Sequence, residues 1–168
     1  MTMNPPAPAS DVTRKPSDGI NATIRTFGYP DTVVGDLAHW VVLLRPQQAT
    51  LGALVLAARG NATRFSDISA AAFAELRDAI GAIEETLAAS FRYDKINYLM
   101  LMMVDPQVHF HVLPRYATVQ TFEGVTFEDP GWPKAPALSH ATEIDERTRY
   151  MLRDLLRTNW RGKRTVSR

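Results

Sequence analysis

The chain has 168 residues, a length expected to form one domain that buries about two-thirds of the surface its extended form exposes. Its 19 basic residues nearly balance 18 acidic ones, and this mixture, with a net charge of +1, excludes bulk nucleic-acid binding by charge alone. With no cysteine there is no disulfide and no thiolate metal site. No apolar run approaches the ~20 residues of a membrane span and no signal-type segment leads the chain, so a cytoplasmic protein with no membrane partner is expected.

Residues 1–20 hold several prolines and few large apolar side chains, the pattern of a flexible tail. Residues 21–160 are expected to form the single domain, and 161–168 a basic C-terminal tail. Ala22 to Phe27 suits a short strand or a helical turn equally, and Gly28-Tyr29-Pro30-Asp31 reads as a turn. Thr32-Val33-Val34 and His39 to Arg45 read as two strands of a hairpin, joined through Gly35 to Ala38. Leu51 to Ala58 is apolar throughout and of strand length, which places it centrally in a sheet.

The clearest helix follows. Ser69 is its predicted cap, and Phe73, Leu76, Ile80, Ile83, Leu87 and Phe91 recur every three or four residues as a core-facing stripe. Lys95 to Met103 is apolar on both faces, as an interior strand would be. A turn at Val104-Asp105-Pro106 leads into a last strand, which Pro114 should end because it has no N–H to give to a ladder. Tyr116 to Leu138 is loop-like, its Phe122, Phe127 and Trp132 pinning it to the body. Glu143 to Arg157 forms a second amphipathic helix capped by Thr142.

That last strand carries the chemistry. In Gln107-Val108-His109-Phe110-His111-Val112-Leu113, alternation sends Gln107, His109 and His111 to one face and the apolar residues to the other. A strand of a core rarely points three polar side chains one way, since each buried polar group without a partner costs roughly 1–3 kcal/mol. A face of this kind meets a ligand, water or a metal.

The stretch resembles the signature of the histidine triad (HIT) superfamily, His-x-His-x-His and two apolar residues, with Gln107 in place of the first histidine and Pro114-Arg115 following. The resemblance spans Thr32 to Arg115 and implies an α+β fold: an antiparallel sheet of about five strands, a long central helix and a C-terminal helix. It also implies a nucleotide as the small-molecule partner, pairing as a homodimer, and no resident cofactor, any Mg arriving bound to substrate. His109 matches the nucleophile, which would attack the α-phosphate of a dinucleoside polyphosphate or nucleoside phosphoramidate and form a nucleotidyl-histidine. His111 and Gln107 would assist, while Arg115, Asp105 and the hairpin residues Leu44 and Arg45 would bind substrate. The chain departs from many members at Ala53, where a histidine usually follows the glycine matching Gly52, and at Met102-Met103, where several carry Gly-Asn.

Two other functions fit the same residues. A noncatalytic nucleotide-binding protein would keep the fold without turnover, which the substitution at Gln107 favours. A metal site built on His-x-His would need a third ligand, for which only His39 and His140 remain among the histidines.

Overall fold

Five segments pair into one antiparallel sheet: β1 (Val33–Asp36), β2 (Trp40–Leu44), β3 (Leu54–Ala58), β4 (Lys95–Leu99) and β5 (His109–Arg115), in the spatial order β1-β2-β3-β5-β4. The coordinates are a computed structural model that describes residues 18–162, so most of both expected tails lies outside the described residues. With helices α1 (Ala22–Thr26), α2 (Ala70–Ser90) and α3 (Glu146–Thr158), this is the α+β architecture expected from the sequence. Among the described residues no helix is long and apolar enough to cross a membrane.

The stretch that was ambiguous between strand and turn is α1, whose Asn21 settles it. The Asn21 side-chain oxygen accepts from Ile24 N at 2.9 Å, and its amide donates to the carbonyls of Ala58 (3.0 Å) and Gly60 (2.6 Å). One asparagine thus caps the helix and clips it to the end of β3. Ile24 then packs with Val41, Leu43, Val55 and Ala57 on one face of the sheet. The other face carries the larger core, where Trp40, Val42, Leu54, Leu56 and Val112 meet Ile83 and Leu87 of α2 and Leu152 and Leu156 of α3.

Ser69 caps α2 as expected, its hydroxyl accepting from Ala72 N at 3.1 Å. The buried face is turned from the expected stripe: Ala72, Ala79 and Ala82 lie against the body with Ile83, Thr86 and Leu87, while Phe73 is 43 % exposed. Small side chains let the helix approach until Trp40 Nε1 donates to the Ala72 carbonyl at 2.8 Å, a contact a phenylalanine face would hold apart. Phe73 stacks instead on Phe65, ring centroids 5.0 Å apart.

Four further expectations change. The apolar run from Lys95 is an edge strand, β4, and not an interior one; it ends at Leu99, and the chain beyond it leaves Met103 85 % and Val104 91 % exposed. Pro114 does not end β5, because pairing with β3 stops at Val112 opposite Leu54, and the side of Pro114 lacking an N–H faces no strand there. The segment after Tyr116 contains a hairpin, β6 (Gln120–Phe122) and β7 (Val125–Phe127), turned by Glu123 and Gly124 at φ 49° and 79°. The cap of α3 is Asp145, accepting from Thr148 N at 2.7 Å, and not Thr142, whose N–H is taken by the Gln48 carbonyl.

Candidate active site

Register fixes what lies beside the histidines. Across β2, β3 and β5, Val41, Ala57 and His109 stand in one row, and Leu43, Val55 and His111 in the next. Arg45 N donates to the Ala53 carbonyl at 3.0 Å, so Arg45 opens a third row on the same face. The order along the strands is therefore His109, His111, Arg45, each row about 7 Å beyond the last.

His109 and His111 do share a face, with ring centroids 5.0 Å apart. They do not line an open hollow together. Phe27, just after α1, lies 5.5 Å from the His109 ring and 5.7 Å from that of His111, leaving His109 2 % and His111 9 % exposed. The burial follows from the Asn21 clip, which sets α1 over this face. A cleft of about 320 Å3 reaches only His111, and its other walls include Phe27, Arg45, Pro46, Gln47 and Asp105.

The His109 Nδ1 lies 2.8 Å from the Gln107 main-chain oxygen. A carbonyl only accepts, so Nδ1 carries the proton and Nε2 the lone pair. Gln107 points its side chain elsewhere: its Oε1 accepts from the Thr23 hydroxyl at 2.6 Å and from Thr23 N at 3.3 Å. The glutamine thus ties the histidine strand to α1 and orients His109 through its backbone.

Burial, the neighbouring His109 and Arg45 together push the His111 imidazole down to about 4. It is neutral at pH 7, fitted to donate a hydrogen bond and poorly fitted to supply a proton as an imidazolium. Its Nδ1 is buried without a partner. Arg45 is 8 % exposed; one of its terminal nitrogens donates to the Gln47 carbonyl, while its Nε is buried without a partner. Burial lowers its pKa.

Of the other expected substrate contacts, Asp105 is half-buried and lines the cleft. Leu44 does not: it belongs to the core beneath the opposite face and borders a separate hollow with Asp31, Thr32 and Arg149. Arg115 is not a surface side chain but a buried one. Its guanidinium is spent on Asp129 (2.6 and 3.0 Å), on Asn97 (2.7 Å) and on the Lys134 carbonyl (3.1 Å), which anchors the loop after β7. Among the described residues no group of three or more His, Asp or Glu side chains is placed to hold a metal ion.

Sequence reasoning missed Gln48, wholly buried. Its amide donates to the carbonyls of Arg45 (2.6 Å) and Ala53 (3.0 Å), and its oxygen accepts from Gly52 N (2.9 Å) and Ala53 N (3.1 Å). The loop that carries Arg45 and Gln47 to the cleft is built around this side chain. Nothing in its local sequence marks it, since a glutamine in a loop is ordinarily exposed.

The family model described as HIT domain matches residues 27–118, more than half of the chain. Among solved structures, a histidine triad protein from Bradyrhizobium japonicum is 21% identical with a TM-score of 0.64, the match covering 84% of this chain and 96% of that one. A histidine triad protein from Sinorhizobium meliloti 1021 is 18% identical with a TM-score of 0.66, covering 85% and 97%. One from Marinobacter aquaeolei VT8 is 21% identical with a TM-score of 0.62, covering 76% and 87%. No curated protein matches significantly.

Proposed function

Because the chain belongs to the histidine triad domain family, whose members are generally nucleotide-binding hydrolases or transferases, we propose that it hydrolyses or transfers nucleotides through His109. The Nε2 lone pair attacks the α-phosphorus of a dinucleoside polyphosphate or nucleoside phosphoramidate. A nitrogen–phosphorus bond forms, and the bond to the leaving group breaks with its electron pair going to the departing oxygen or nitrogen, a departing nitrogen also taking a proton from solvent. Water or another acceptor then attacks the phosphorus and gives up a proton to solvent, and the electron pair of the broken bond returns to Nε2 as the nucleotide leaves. Gln107 occupies the place of the family's first histidine, and its amide cannot titrate, so its part is to hold and orient.

The observation that carries this reading is the hydrogen bond from His109 Nδ1 to the Gln107 carbonyl, which fixes the tautomer whose lone pair is on Nε2. His111, neutral beside it, hydrogen-bonds a phosphate oxygen. No resident cofactor is required, and any divalent cation enters with the substrate phosphates. Two chains pair edge to edge along β4, in keeping with the exposed apolar side chains of Leu101, Met103 and Val104 just beyond it.

One observation favours a second reading, a nucleotide binder without turnover: Phe27 covers both imidazoles, and the cleft stops at His111. Acid- or base-quenched incubation with diadenosine tetraphosphate and with adenosine phosphoramidate separates the two. A nucleotidyl mass increment on His109, lost in His109→Ala, is the expected outcome. Tight binding with no increment and no released nucleoside monophosphate would leave the binder.

A further inference from the structure

We infer that the cleft beside His111 holds a second phosphate of the ligand on the Arg45 guanidinium, distinct from the phosphoryl group that meets His109. The inference rests on the proposed nucleotide chemistry and adds to it a requirement on the substrate: it must carry more than one phosphate.

The reason is the state of Arg45. Two other guanidinium groups are equally buried and both are matched by carboxylates, Arg115 by Asp129 and Arg59 by Asp36. Arg45 is over nine-tenths buried and has no carboxylate within ion-pair distance among the described residues. The one hydrogen bond of its guanidinium goes to a neutral carbonyl, and its Nε has none. A buried cation without a counter-charge costs several kcal/mol in general terms, so the fold bears a penalty that an anionic ligand would relieve. Guanidinium matches the planar, paired oxygens of phosphate.

The surroundings agree. His111, whose Nδ1 is also buried without a partner, lines the same cleft as Arg45. Asp105 is the only acid among the cleft residues; it is half-buried and forms no ion pair with Arg45. Strand register sets Arg45 on the side of His111 away from His109. The anion it holds is therefore not the group under attack.

The phosphate can come from two sources, a polyphosphate chain continuing from the reacting phosphorus or a phosphate on the sugar. Calorimetric titration of the full chain with AMP, ADP and adenosine 3′,5′-bisphosphate decides. The expected result is that one of the two doubly phosphorylated compounds binds at least about tenfold tighter than AMP, tenfold being 1.4 kcal/mol. A gain for ADP assigns the phosphate chain, and a gain for the bisphosphate assigns the sugar. Arg45→Gln is expected to abolish that ratio, and Arg45→Lys to restore part of it.

Equal affinities for all three compounds in the unmodified chain overturn the inference without any variant, as does a ratio that survives Arg45→Gln. Such a result with AMP still bound leaves the nucleotide reading standing. The converse is read with inorganic pyrophosphate: Arg45-dependent binding of pyrophosphate, with no nucleotide bound, keeps the anion site and removes the nucleotide reading.

Discussion

His109 and Gln107 are joined by a hydrogen bond from imidazole Nδ1 to main-chain oxygen, 2.8 Å long, within a single strand-entry segment. The side chain of Gln107 takes no part in it, being held by Thr23. Gln107→Ala should therefore leave the His109 tautomer intact and lower the rate of nucleotide release by less than about tenfold, whereas loss of a proton-transferring group costs ~10²–10⁴. Steady-state kinetics on diadenosine tetraphosphate check this, and a fall above a thousandfold would make the amide a participant in the chemistry.

A pH dependence of stability follows from His111. Its folded value of about 4 lies below the ordinary 6.5, so between these values the unfolded chain binds more protons than the folded one. The stabilisation from keeping the ring neutral is complete above pH 6.5 and is lost as pH falls toward 4. Urea unfolding at pH 7 and pH 4.5 should show a smaller pH slope in His111→Leu than in the parent chain. Parallel curves would rule the shift out.

Gln48→Leu should destabilise the fold by roughly 2–4 kcal/mol, because it strands the Gly52 N–H and the Arg45 carbonyl, which rely on this amide, and leaves the Ala53 N–H and carbonyl with one partner each. Denaturant midpoints measure the change. A loss below about 1 kcal/mol would mean that the loop finds other partners.

The proposed pairing along β4 predicts that Met103→Glu, which places a charge on a residue already 85 % exposed, leaves the monomer folded and weakens the dimer. Sedimentation equilibrium should show the parent chain as a dimer and the variant shifted toward monomer at equal concentration. A parent chain that sediments as a monomer would dispose of the interface.

Much of the fold was legible because its signals are local. Ser69 caps α2, the uninterrupted apolar run of Leu54 to Ala58 marks a central strand, and His109 and His111 alternate with Val108, Phe110 and Val112. The β6–β7 hairpin has a local signal too, Glu123-Gly124 between alternating threonines and aromatics, but the prolines and glycines around it obscure that signal. Phe73 and the β4 run misled because an apolar side chain signals burial without saying against what.

The residues themselves implied an antiparallel α+β domain through their resemblance to a known signature, and they determined that one strand turns two imidazoles the same way, because strand alternation is a property of the backbone. Only the tertiary structure decided what those imidazoles meet. Asn21 sets α1 and Phe27 over them, Asp129 holds the Arg115 guanidinium, and register brings Arg45 into the cleft without an ion pair among the described residues. Each of these depends on partners many residues apart, and the cost of leaving a buried charge or donor unpaired cannot be reckoned until the fold shows which partners arrive.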